Sequence, residues 1–107
     1  MNIDDRFHQL SEQAGRFAKA KAEMDYLSHF RKSKIAILMK KYELEGHQTA
    51  AAQEREARAD KGYMEVLEGL RVATEACEKE RWELKLVTMK FEAWRSKEAT
   101  NREAMKL

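Results

Sequence analysis

Three histidines, His8, His29 and His47, and one cysteine, Cys77, are the side chains best suited to ligate a metal or to act as base and nucleophile. A metal needs such groups at short spacings that converge, as in a histidine pair four residues apart on one helix. The histidines lie far apart in the chain, and Glu43 and His47, which share the i, i+4 spacing, are separated by Gly46, a helix stop. Cys77 falls among apolar residues at helical spacing, where a thiol packs as a small hydrophobe. No glycine-rich phosphate loop occurs, and no Ser, His and Asp have a scaffold to bring them together. The sequence therefore predicts no catalytic residue, no metal and no cofactor.

A different chemistry is offered by Tyr26, His29 and Phe30, which precede Arg31, Lys32 and Lys34, with Lys40 and Lys41 two turns later. Guanidinium and ammonium groups neutralise phosphates, and interleaved rings give bases a surface to stack on. Between Arg16 and Lys41 the basic residues Arg16, Lys19, Lys21, Arg31, Lys32, Lys34, Lys40 and Lys41 are opposed only by Glu23 and Asp25. The chain carries just +2 overall, so the positive field is local. Tyr26, Phe30, Arg31, Lys32, Lys34, Lys40 and Lys41 are the candidate nucleic-acid-binding residues. The competing reading makes the basic run a solvated face and the two rings part of an interface.

The elements that carry these groups are helices. The 107 residues are 43% hydrophobic and 37% charged, without proline and with four glycines, a composition of long helices with solvated outer faces. Ile3, Phe7, Leu10, Ala14 and Phe17 form a first helical stripe, at whose end Gly15 is expected to bend the chain. The pattern continues through Ala20, Met24 and Leu27 and resumes at Ile35, Leu38 and Tyr42, with Arg31 at a position that the stripe would fill with an apolar residue. Gly46 stops this helix, Thr49 caps a short one running from Ala50 to about Ala59, and Asp60 caps a second long one. The short helix has few large apolar residues and is expected to be mobile.

The second long helix has the clearest repeat: Tyr63, Val66, Leu70, Ala73, Cys77, Leu84, Val87, Phe91 and Trp94 fall at a and d positions of one heptad frame, interrupted by Glu80. Trp82, Leu86, Met89 and Ala93 form a second stripe on another face, which one partner helix cannot cover as well. The predicted fold is all-α, a long antiparallel coiled-coil-like hairpin in a single domain. Its parts are an N-terminal helical segment (1–15), a first long helix (16–45), a connector (46–60), a second long helix (61–98) and a frayed tail (99–107). At roughly 45 and 55 Å the two helices make rods rather than a globule, so homo-oligomerisation is expected through Trp82, Leu84, Leu86, Met89, Phe91 and Trp94.

The runs Tyr26-Leu27-Ser28-His29-Phe30-Arg31-Lys32-Ser33-Lys34, Gln53-Glu54-Arg55-Glu56-Ala57 and Phe91-Glu92-Ala93-Trp94-Arg95-Ser96-Lys97-Glu98-Ala99 resemble small helical proteins encoded by tailed phages and prophages. The order of parts, a basic first helix, a connector ahead of an aromatic residue and an apolar C-terminal helix, is distantly similar to the UvsY-type recombination mediators. The resemblance spans about residues 20 to 100. It implies an oligomer in the cytoplasm of a bacterial host that binds single-stranded DNA and helps a recombinase replace a single-strand-binding protein. DNA contact at Arg31, Lys32, Lys34, Lys40 and Lys41 and assembly through the C-terminal helix carry over with it. This chain is shorter, and its N-terminal part has no counterpart. The alternative is a structural or regulatory helical adaptor that binds a protein partner and no nucleic acid; a capsid or packaging component is a third reading. No segment has the length and apolarity of a membrane span, so no membrane partner is expected.

Overall fold

The computed structural model describes residues 2–106. It contains three helices, α1 (Ile3–Leu44), α2 (Ala50–Ala59) and α3 (Lys61–Met105), arranged as an antiparallel hairpin of 85 × 18 × 16 Å. Its radius of gyration is 23.7 Å, against about 13 Å for a compact domain of this length.

α1 begins at a capping box in which the Asn2 side chain accepts the Asp5 backbone N–H at 2.8 Å. It then runs unbroken through Gly15, so the N-terminal segment and the first long helix are one element. A methyl group built on Gly15 would meet nothing within 4 Å, and no neighbour forces a bend there.

The other end closes on a Schellman motif. The Gly46 N–H donates to Glu43 O at 3.1 Å and the His47 N–H to Tyr42 O at 3.0 Å, with Gly46 at φ +108° and the His47 ring edge-on to Tyr42 at 5.7 Å. Thr49 caps α2 as its sequence indicates, its hydroxyl accepting the Ala52 N–H at 3.1 Å. α2 returns along the last turns of α1, where Ala57 is fully buried with Leu38 and Tyr63 and is flanked by Ile35, Met39 and Leu67. The connector is thus anchored, because a methyl side chain lets the two helices approach closely enough to exclude water.

Asp60 ends α2 and starts α3. Its carboxylate accepts the Gly62 N–H at 2.7 Å and the Tyr42 hydroxyl at 2.6 Å, with Lys41 Nζ at 3.3 Å. Those bonds hold Asp60 below the ordinary carboxylate range, the Tyr42 hydroxyl contributing most and the Gly62 N–H next. The same bond pushes the Tyr42 phenol up to about 12.

Along the hairpin the α3 seam packs on α1. Tyr63, Ala73, Cys77, Val87 and Phe91 are buried, and Phe91 meets Phe7 with ring centroids 5.2 Å apart. Glu80, which interrupts the heptad, is met by Gln13. The Gln13 amide donates to Glu80 O at 3.2 Å and to Glu80 Oε2 at 2.7 Å, while its oxygen accepts two hydrogen bonds from Arg16 at 3.0 and 2.7 Å. Gln13, 1% exposed, therefore occupies the seam in place of Ala14, which faces solvent. Beyond Trp94, α3 continues past the start of α1 and stays helical to Met105; the tail expected to fray is the end of the same helix, with Leu107 outside the described residues.

Candidate nucleic-acid and assembly surfaces

Every basic candidate lies on α1, but the hairpin gives them unequal surroundings. Arg31 sits at the seam, half-buried, and its Nε is enclosed without a hydrogen-bond partner. Lys34 lays its chain end against the first turn of α3, its Cε 3.2 Å from where a Gly62 methyl would stand. Lys40 pairs with Glu43 at 3.6 Å and Lys41 with Asp60 at 3.3 Å, so both ammonium groups already face a carboxylate. Lys32 is exposed. Among the described residues neither it, Arg31 nor Lys34 has a carboxylate within ion-pair distance.

Tyr26 and Phe30, one turn apart on α1, stack at 6.0 Å with their planes 10° from parallel. Tyr26 is 62% exposed. Ile37 and Leu44 extend the same stripe, and the steps from Tyr26 through Phe30, Ser33, Ile37 and Lys40 to Leu44 alternate four and three residues. The lysines around this stripe mask it in the sequence, and Ile37 and Leu44 sit off the main apolar seam, so its continuation is visible only on the folded helix.

The residues expected at the oligomer interface separate into two groups. Leu84, Phe91 and Trp94 belong to the seam inside the hairpin: Phe91 is buried, Leu84 half-buried, and Trp94 is half-buried with Arg6 at 4.7 Å from its ring centroid. α1 of the same chain takes up Phe91 and one side of Leu84 and Trp94, which leaves these three less surface than the other group for a contact between chains. Trp82, Leu86 and Met89 stay exposed, with Lys85 Nζ 4.3 Å from the Trp82 ring centroid.

An open groove of about 840 Å³ lies where α3 outruns α1, walled by Ile3, Phe7, Phe91, Trp94 and Ala99. Its charged rim mixes Glu92, Arg95, Glu98 and Arg102, with no histidine or cysteine among the groups that line it. Cys77 lies fully buried in the seam. Among the described residues no group of His, Cys, Asp and Glu is placed to hold a metal ion, and no helix is long and apolar enough to cross a membrane.

No family model matches the chain, and neither the curated proteins nor the solved structures contain a significant match to it.

Proposed function

We propose that the protein is a non-enzymatic accessory factor of phage or prophage DNA recombination or replication, working as a homo-oligomer that engages single-stranded DNA with the basic middle of α1. The observation that carries the DNA contact is the exposed Tyr26 stacked on the half-buried Phe30 beside Arg31, Lys32 and Lys34, three cations without a carboxylate partner among the described residues. Rings and unneutralised charges within two turns of one helix are what a flexible single strand needs, since its bases are free to stack while its phosphates are held. Lys40 and Lys41 join this surface only by exchanging Glu43 and Asp60 for phosphate. The recombination setting, a bacterial cytoplasm and a recombinase or single-strand-binding protein as further partner rest on the resemblance of the three sequence runs to phage-encoded helical proteins.

Fluorescence anisotropy of labelled single- and double-stranded DNA at low and moderate salt tests the reading. Replacing Arg31, Lys32 and Lys34 together by Ala should weaken binding and reduce the salt slope by roughly 2, at about 0.7 for each phosphate of a single strand that is no longer neutralised. Lys32→Glu, at an exposed site away from the seam, should weaken binding with helicity unchanged. Unaltered binding in both variants would remove this surface.

A second reading, an adaptor that binds a protein and no nucleic acid, draws on the exposed Ile37 and Leu44 continuing the Tyr26 stripe, since aliphatic residues offer no stacking surface to bases. Absence of any DNA binding at low salt would favour it.

A further inference from the structure

We infer that the outer face of α3 is a self-recognition surface for a second copy of this chain, packed antiparallel about a twofold axis between Leu86 and Met89. The inference rests on the homo-oligomer half of the proposed function and supplies its partner geometry; it does not depend on the DNA half.

The apolar stripe comes first. Leu86 is two residues from the seam residue Leu84, about 200° round the helix, so Trp82, Leu86, Met89 and Ala93 point away from α1. Trp82, Leu86 and Met89 are 60%, 47% and 66% exposed. Their steps of four, three and four are those of d, a, d and a positions, the spacing by which one helix packs on another. The chain as a whole exposes 8067 Å², where a compact protein of its mass exposes roughly 6,200 Å². That excess is more than the roughly 800 Å² per partner that a standard interface removes from water.

The charges select both the partner and its direction. In this frame Glu83 and Lys90 are e positions, and Lys85 and Glu92 are g positions, so the four border the stripe on its two sides. In an antiparallel pair, e faces e and g faces g. With the axis between Leu86 and Met89, Glu83 of one copy meets Lys90 of the other, and Lys85 meets Glu92, each twice by symmetry. A parallel pair would instead set g against the following e, bringing Glu78 to Glu83 and Lys85 to Lys90, two like-charge pairs per helix against one attractive pair, Glu92 with Lys97. Within one chain Glu83, Lys85 and Lys90 have no ion-pair partner among the described residues, so their charges are available across the interface. The next layers out, Lys79 and Ser96, are polar and limit the interface to about three turns.

Such a pair is a rod of roughly 120 Å, because the axis lies about 26 Å from the α3 end of an 85 Å molecule at about 1.5 Å per residue. It puts the two Arg31 regions roughly 70 Å apart, on opposite halves of the rod, so a single strand long enough to span them would be held bivalently.

Sedimentation velocity of the full chain without DNA, from micromolar to sub-millimolar concentration, tests the proposal. The wild type should show a concentration-dependent dimer. Leu86→Glu and Lys90→Glu should each raise the dimer dissociation constant at least tenfold while circular dichroism stays unchanged, and Glu83→Lys combined with Lys90→Glu should restore it. A chain that stays monomeric would overturn this interface and the homo-oligomer reading together, leaving DNA binding to be judged by anisotropy. An oligomer indifferent to Leu86→Glu and Lys90→Glu would overturn the interface alone.

Discussion

Replacing Gln13 by Leu removes the one buried polar side chain of the described seam without much change in volume, and its effect on stability is calculable from its partners. Gln13 makes four hydrogen bonds, two donated to Glu80 and two accepted from Arg16. Bonds to charged groups contribute about 1.5–3 kcal/mol each where water cannot replace them. Water replaces much of that loss here: the Arg16 and Glu80 side chains are 55% and 28% exposed, and they keep each other at 4.0 Å. The better-enclosed Glu80 groups lose most, so Gln13→Leu should cost about 1.5–3 kcal/mol. The double variant Gln13→Leu with Glu80→Leu leaves no stranded charge and extends the apolar seam, so it should return to within about 1 kcal/mol of the wild type or exceed it. Urea unfolding followed by circular dichroism measures both, with the single variant shifting the midpoint by roughly 1 M if the slope is between 1 and 3 kcal/mol/M. A Gln13→Leu protein as stable as the wild type would refute the claim that this layer is enclosed and coupled across the hairpin.

Gly15→Ala should stabilise the protein by about 0.5–1 kcal/mol, because the site is mid-helix, has open space around it and needs no special backbone angle. A destabilised Gly15→Ala in thermal unfolding would instead mean that α1 bends there. Gly46→Ala should destabilise by about 1–2 kcal/mol, since φ +108° is strained for any residue with a Cβ although nothing crowds the position. The joint at Asp60 should be acid-sensitive. Its carboxylate titrates lower folded than unfolded, so its contribution to stability is complete above the ordinary carboxylate value and is lost as pH falls through the folded one. Tyr42→Phe removes the largest cause of the shift and should flatten that acid limb in urea titrations run at successive pH values; an unchanged limb would exclude the Tyr42 hydroxyl as its source.

Much of the architecture is legible in the sequence because it depends on local chemistry. A glycine after the last apolar residue closes a Schellman motif, Thr49 and Asp60 cap α2 and α3, and the α3 heptad marks a face for a partner helix. What local chemistry cannot supply is registration between distant segments. Gln13 looks like a solvated residue beside the stripe member Ala14, and Glu80 like an interruption of the heptad. Only when the chain is folded about Gly46 and Asp60 do the two fall at the same height, and each then accounts for the other. Gly15 misleads in the opposite direction: its propensity cost is small beside the packing of Leu10 and Phe17 on either side of it. The connector misleads by composition, because Ala57 contributes by letting α1 come close rather than by bulk.

The candidate sites follow the same division, and α3 shows why. It carries two apolar frames offset by two residues, Leu84, Val87, Phe91 and Trp94 on one face and Trp82, Leu86, Met89 and Ala93 on the other. Sequence alone places them on different faces but gives both the spacing of a helix interface, so residues of both enter the expected oligomer surface. The hairpin distinguishes them by length and by complement. The first frame extends from Tyr63 to Trp94, long enough to bury residues along α1, and its polar break at Glu80 is answered by Gln13. The second is four residues long and has no answering segment on α1, yet the charges beside it, Glu83, Lys85, Lys90 and Glu92, are complementary to themselves in reverse order. A short stripe bordered by self-complementary charge is poorly suited to a fixed intramolecular contact and well suited to reversible pairing between identical chains, in which a modest apolar contact supplies affinity and the charges fix direction.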